Sequence, residues 1–428
     1  MPSTAETSLR RWLLPGLVAA LLTPAVGQAQ EASSVRTVAL CQAPEGEPRT
    51  AAALCAWLER AWGAGGARLM IEVDRSLIGA SDFDPVPALE TAKKTLENAQ
   101  SAEAIGRHTR ARAFYGEAAD ALMELDPWLT DRGQLADALL GLARTAQQGR
   151  SRDRWMADEA IVRLMNVVPG WRARVAEEPQ ALRDRVAEME ATVREQPLGA
   201  LLVESTPPGA RLVVDGEFVG VTPMVVERLT AGEHLVSVRR AGNLPQARRA
   251  VVAPNDRARL SVELSAAQGG VAFAQASRRA LEEVGAPRSG DGLGELRSLL
   301  LVEQAVAVRI SPDPSGDGEL IEGYVYDLRS RQLLSQAVVV ARLDTPTRAR
   351  AAAEELAEAL EQALDAGAAS PGGEEGSVLS SWWFWTGAGA AVLGVVGATW
   401  WLTRDDAGGA GASEEPLPPG TGTIRLVF

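Results

Sequence analysis

Residues 199–265 decide most about the fold of this chain. They open with GALLVESTPPGARLVVDGEFVGVTPMVVERLTAGEHLVSVRRAG and later include RARLSVEL. Apolar residues alternate with other residues in Leu201–Val203 and in Leu212–Val214, which is the period of a β-strand. Asp215-Gly216 is a hairpin signal, because such a turn needs a positive φ that glycine tolerates. The stretch therefore predicts a small all-β module with a tight turn at these two residues.

Proline and glycine separate the other strands of this stretch. The turn residues together are Pro207, Gly209, Ala210, Asp215, Gly216, Gly220, Thr222, Pro223 and Gly232. This set resembles the PEGA domain family, a β-sandwich module of bacterial and archaeal envelope proteins. Pro208 stands where the family has its name-giving glutamate, and the turn itself is kept. The resemblance implies a non-catalytic antiparallel sandwich at 199–265, in which these glycines and prolines are structural.

Residues 1–29 have the features of an export signal. A basic Arg10-Arg11 pair precedes an apolar run from Trp12 to Leu22, and Gly27-Gln28-Ala29 provides a small-residue cleavage site. We therefore expect the chain from residue 30 onward to be exported from the cytoplasm.

Residues 381–403 contain an uncharged apolar run that is long enough to cross a bilayer as a helix. The tryptophans expected to anchor its two edges at the membrane interface are Trp382, Trp383, Trp385, Trp400 and Trp401. The small residues that would permit a homodimer through this helix are Ala390, Gly394 and Ala398. The signal and this helix together predict a bacterial inner-membrane protein that is largely periplasmic. Its cytoplasmic tail at 404–428 would be disordered, and the tail ends in the strand-like segment Thr423–Phe428.

The chain has two cysteines, Cys41 and Cys55, and two histidines in distant regions. In an oxidising compartment the cysteines fit either a disulfide or two buried thiols. No spacing typical of a metal site occurs, so we predict no metal and no cofactor. The formal net charge of −13 excludes nucleic acid as a partner, because nucleic-acid binding needs basic stripes.

A helical region at 79–195 is predicted from stripes of apolar residues at helical spacing. Two of its segments, Glu117–Pro127 and Glu159–Pro169, share a Glu-Ala pair, a Leu-Met pair and a terminal proline. A helix that ends before a proline resembles the second helix of a tetratricopeptide hairpin. We therefore expect helical hairpins of this kind.

Residues 30–78 predict a β-α-β segment, with strands at 35–40 and 68–73 around a helix at 49–62. Residues 268–367 predict helices, three strands and a closing helix, which is an α+β domain. The two regions are either independent units or one composite sheet. So short a β-α-β segment could hardly bury a core alone, which favours the composite. The chain inserted between them would then project as a side lobe.

The predicted fold class is thus multidomain α+β: helical hairpins, an all-β sandwich, an α/β domain, a linker at 368–380 and one C-terminal transmembrane helix. No nucleophile motif or dinucleotide-binding loop occurs, so we do not expect an enzyme. We predict a non-catalytic, membrane-anchored envelope protein that binds or scaffolds another envelope protein or a cell-wall polymer. The alternative is a sensor or transducer with a periplasmic input domain.

Overall fold

The computed structural model describes residues 35–42, 48–64, 68–77, 84–148, 153–314, 316 and 318–368. The strands in chain order are β1 (Val35–Gln42), β2 (Arg68–Met70), β3 (Gly199–Thr206), β4 (Arg211–Val214), β5 (Glu217–Val221), β6 (Met224–Leu229), β7 (Gly232–Arg239), β8 (Gln246–Val252), β9 (Arg257–Glu263), β10 (Gln304–Pro312), β11 (Glu319–Asp327) and β12 (Gln332–Ala341). The α-helices are α1 (Pro48–Gly63), α2 (Val73–Ser76), α3 (Pro85–Ala104), α4 (His108–Glu124), α5 (Gly133–Gln147), α6 (Arg154–Val167), α7 (Trp171–Val175), α8 (Gln180–Glu195), α9 (Gly270–Glu282), α10 (Asp291–Leu300) and α11 (Pro346–Ala368).

These elements form three lobes. The sheet lobe contains β1, β2 and β10–β12 with α1, α2 and α9–α11. The helical lobe contains α3–α8, and the β module contains β3–β9.

The sheet lobe is one composite sheet of five strands in the order β12-β11-β10-β1-β2. Strand β1 pairs in parallel with β10 on one side and with β2 on the other, while β11 and β12 extend the sheet in antiparallel pairing. Val38 stands opposite Ala305 across the β1–β10 pairing. The composite sheet predicted from the sequence is therefore confirmed. Strand β1 joins the two parts of the sheet, and β2 is the edge strand next to β1.

Both faces of this sheet are covered by helices. Side chains of β10 alternate between the faces, so that Ala305 packs beneath α9 and α10 while Val306 packs beneath α1 and α11. Leu58 of α1 and Leu356 of α11 are fully buried against the second face. Burial on both faces explains the nearly continuous apolar run of β10.

The helical lobe packs its helices in succession. The principal contacts are α3 on α4, α4 on α5, α5 on α6 and α6 on α8. The two repeated segments cover the last turns of α4 and α6, and Pro127 and Pro169 follow these helices closely. The predicted helical region is therefore found, and it begins at Pro85.

The β module packs a three-stranded sheet, β6-β3-β9, against a four-stranded sheet, β5-β4-β7-β8. Leu201, Leu212 and Val236 are fully buried in the core of the module. The expectation of a purely antiparallel sandwich is wrong at one pair, because β3 and β9 run parallel.

The expectation of a projecting side lobe is also wrong. Leu235 of β7 is buried within the hydrophobic core of the helical lobe. On the opposite side, the ring of Phe218 meets Trp57 of α1 edge to face, with 4.5 Å between ring centroids. Apolar contact on both sides holds the β module between the other two lobes.

The fold class needs one correction, which concerns the transmembrane helix. No helix among the described residues combines the length and the apolar character that crossing a bilayer requires. The architecture that the structure supports is a multidomain mixture of α-helices and β-sheets. The expected export signal (1–29), membrane segment with its anchors and small-residue row (381–403) and tail (404–428) lie outside the described residues. The expected linker (368–380) does so as well, apart from Ala368, which ends α11.

Candidate functional site

A cleft of about 1450 Å³ lies where the three lobes meet. The sheet lobe contributes Met70 at the end of β2, Glu72 immediately before α2, and Arg75 within α2. The helical lobe contributes the loop from Leu129 to Gly133, and the β module contributes β4 and β7. The cleft is larger than the pockets of about 300–1000 Å³ that hold small molecules.

Strand alternation builds the β-module wall of this cleft. Leu212 and Val238 point into the sandwich core. Their neighbours Arg211 and Arg239, together with Ser237, lie on the other face of the same sheet and line the cleft. A sheet with one apolar and one polar face thus supplies both the core of the module and a wall of the site.

The lining of the cleft is rich in guanidinium groups. The seven arginines are Arg36, Arg60, Arg75, Arg132, Arg174, Arg211 and Arg239. The five carboxylates are Glu59, Glu72, Asp126, Asp131 and Glu177. Cations therefore outnumber anions here, although the whole chain carries a formal charge of −13.

Glu72 is the point at which arginines from two lobes converge. Its Oε1 lies 2.9 Å from Nη1 of Arg239, and its Oε2 lies 2.7 Å from Nη1 of Arg75. Partial burial opposes ionisation, but the hydrogen bond and charge of Arg239 and the charges of Arg75 and Arg211 hold the pKa of Glu72 below its usual value. The group is therefore a carboxylate clamped by guanidinium groups.

Two further ion pairs fasten the walls. Nη1 of Arg211 lies 2.7 Å from Oε2 of Glu59, which joins β4 to α1. Nη2 of Arg132 lies 2.6 Å from Oδ1 of Asp126, and both side chains are nearly buried. The hydroxyl of Ser237 donates to the same Asp126, which joins β7 to the helical lobe.

Aromatic rings accompany these cations. The guanidinium carbon of Arg211 lies 5.7 Å from the ring centroid of Phe218, and that of Arg75 lies 6.0 Å from the ring centroid of Trp128. Such contacts position a guanidinium group over a ring face. Of these two rings, Phe218 lines the cleft, which therefore combines cationic groups with apolar surface.

The predicted turn residues at the start of the β module come together as one cluster. The backbone N–H of Ala210 donates to Oγ1 of Thr222 at 3.0 Å, and the N–H of Gly209 donates to the carbonyl of Thr222 at 2.8 Å. Pro207 and Pro223 both follow cis peptide bonds in these two turns. Thr222 thus ties the turns before β4 and before β6 to each other.

The predicted hairpin lies at the edge of the cleft. Asp215 and Gly216 have φ angles of 53° and 86° and connect β4 to β5. Gly216 lines the cleft and lies so close to Arg132 that an added Cβ would be 2.9 Å from its Nη1. Gly220 lies in β5 and Gly232 begins β7, where it faces Asn166 of α6.

Asp215 also organises the one described histidine of the module. Its Oδ2 lies 2.6 Å from Nδ1 of His234, and its Oδ1 accepts the N–H of Leu235 at 2.9 Å. Nε2 of His234 lies 2.8 Å from the carbonyl oxygen of Thr230. Burial disfavours the charged imidazole, but the hydrogen bond and charge of Asp215 raise the pKa of His234 above its usual value.

Cys41 and Cys55 form a disulfide that joins the end of β1 to α1, with 5.8 Å between their Cα atoms. Of the two alternatives that the sequence allows, this is the one present in the structure. Within the described ranges, no group of three or more His, Cys, Asp or Glu side chains is placed to hold a metal ion.

The residues that line the cleft were not predicted from the sequence. Arg211 and Arg239 each stand one position away from a core residue in a strand, which marks them as outward-facing. Nothing in the local sequence places Glu72 or Arg75 opposite them, because that contact depends on how the lobes pack.

A comparison with curated proteins finds no match to this chain. A comparison with protein families finds a match for the β module, and this match confirms the resemblance drawn from its turn residues. Residues 198–268 match the PEGA domain family.

Proposed function

We propose that this protein is a non-catalytic binding protein of the bacterial envelope, and that its interlobe cleft holds an extended segment of another envelope macromolecule. The observation that carries the proposal is the cleft itself, which all three lobes line with arginines and apolar side chains. Its volume of about 1450 Å³ suits a chain segment better than a small metabolite.

An extracytoplasmic location is supported by two features. The Cys41–Cys55 disulfide is of a kind that persists in oxidising compartments and is rare in the cytosol. Residues 198–268 match the PEGA domain family, and the resemblance to that family implies an envelope protein. The export signal expected at 1–29 agrees with both.

We interpret the helical lobe as tetratricopeptide-like hairpins, since α4 and α6 carry the repeated segments and both precede a proline. Such hairpins commonly stack to form binding surfaces. In this protein the loop after α4 and the start of α5 contribute the helical wall of the cleft.

The proposal is tested by photocrosslinking in living cells. A photoreactive residue replaces Thr130, an exposed residue of the cleft, in the full-length protein. The matched control replaces Gln362, an exposed residue of α11 outside the cleft lining. We expect a discrete adduct at Thr130 and none at Gln362. Equal adducts at both positions, or none at Thr130, would contradict the proposal.

A further inference from the structure

We propose that the segment held in the cleft is an acidic stretch of a partner protein, and that one of its carboxylates takes the place of Glu72 between Arg75 and Arg239. This inference rests on the proposed function and adds the chemical class of the ligand.

The clamp on Glu72 has the form of a carboxylate-binding site. Arginines from the sheet lobe and the β module meet the two oxygens of one carboxylate at 2.7 and 2.9 Å. The Glu72 side chain is 39% exposed, whereas Arg75 is 30% and Arg239 is 11% exposed. Arg239 is thus the most deeply buried member of the clamp, and the carboxylate is the member most accessible to solvent and ligand.

The surroundings provide further sites for anions along the cleft. Arg60 is exposed on the α1 wall, and Arg174 is half exposed on the helical wall, where it pairs with Asp137. Guanidinium groups suit carboxylates because their planar N–H donors match the two oxygens. An extended ligand could therefore make several contacts of the same type.

Apolar lining favours a polypeptide over a phosphate polymer. Met70, Leu129, Val213 and Phe218 lie among the arginines. A chain that alternates acidic and apolar side chains satisfies both kinds of surface. A polyphosphate has no apolar groups that could contact the apolar side chains of the cleft.

The test measures binding of a short fluorescent peptide that alternates glutamate with valine, by anisotropy, to the full-length protein. We expect Arg75→Gln to weaken binding about tenfold, as loss of a charge-assisted contact should. Arg211→Gln serves as a second weakening variant, and unfolding curves establish that each variant is folded. Glu72→Gln should tighten binding several-fold, because the competing carboxylate is gone. The matched control is Arg257→Gln, which should leave binding unchanged. Arg257 is an exposed residue of β9 that forms an ion pair with Glu227 outside the cleft lining.

The outcomes separate this inference from the proposed function. Binding that Glu72→Gln weakens or leaves unchanged would show that its carboxylate is not displaced. Tighter binding of inorganic polyphosphate, or of a lysine-valine peptide, would overturn the acidic-peptide assignment. If no peptide binds while the Thr130 adduct persists, the inference fails and the proposed function stands. If the adduct is absent too, both fail.

Discussion

The β module and the sheet lobe differ in how the segments that build their hydrophobic cores are distributed along the chain. The β module is continuous in sequence, and its strands are separated by turns of a few residues. The sheet lobe is assembled from the two ends of the described chain, with β1 paired to β10 across the whole insertion. Local turn chemistry is enough to specify the first, whereas the second exists only if distant segments meet.

This difference has a consequence for cooperativity. In the sheet lobe, α1 and α11 cover the same face, so the beginning and the end of the described chain share one hydrophobic core. A destabilising substitution in α1 should therefore loosen strands β10–β12. The β module, with its own core between two sheets, should respond far less.

The largest effect is expected from Leu58→Ala. Leu58 is fully buried in the face shared by α1 and α11, so its truncation leaves a cavity and should lower the free energy of unfolding by about 4 kcal/mol. Hydrogen exchange should accelerate in β10–β12. The matched variant Leu212→Ala, fully buried in the β module, should instead accelerate exchange within β3–β9. Identical exchange patterns for the two variants would contradict the expectation that the two cores respond separately.

Removal of the disulfide should have a slightly smaller effect. Replacing Cys41 and Cys55 by serine reopens a short loop within the sheet lobe and should lower the free energy of unfolding by about 3 kcal/mol. Denaturant titration measures the loss. A reducing agent should lower the stability of the wild type to that of the variant and leave the variant unaffected. Equal stability of the variant and the oxidised wild type would contradict the expectation.

Gly216→Val tests how the hairpin tip meets the helical lobe. Valine strains the backbone at φ +86°, and its Cβ would approach Arg132, so we expect a loss of about 2 kcal/mol in the free energy of unfolding. Gly106→Val is the matched control, since Gly106 has φ +73° with nothing near its Cβ position. A loss at Gly106 as large as that at Gly216 would show that the contact with Arg132 adds nothing.

The smallest effect concerns the charge of His234. Because the pKa of His234 is raised above 6.5 in the folded protein, protonation should stabilise the module fully below pH 6.5. This contribution should disappear as the pH rises through the folded pKa. Titration of the imidazole by NMR should give a pKa above 6.5 that falls in Asp215→Asn. A wild-type value at or below 6.5 would refute the assignment.

How much the sequence could predict differs between these regions for physical reasons. The Asp215-Gly216 hairpin and the strand alternation are local, so they can be read directly. The composite sheet was inferred because so short a β-α-β segment could hardly bury a core alone, and β1 pairs with β10 as expected. The projecting insertion was wrong because Leu235 and Phe218 looked like ordinary strand residues. Their burial against other lobes depends on packing between lobes, which no local pattern records.

The cleft was missed for the same reason. Arg211 and Arg239 can be identified as outward-facing in their strands, but an outward arginine is most often solvated. What makes them part of a site is the arrival of Glu72 and Arg75 from the sheet lobe. The site is therefore a property of three lobes together.

The most direct test of this account is hydrogen exchange of the full-length protein with and without the glutamate-valine peptide. We expect slower exchange in one segment of each lobe at once: Met70–Ser76, Leu129–Gly133 and Val213–Phe218. Protection confined to a single lobe, or located away from these segments, would contradict a binding cleft built by all three.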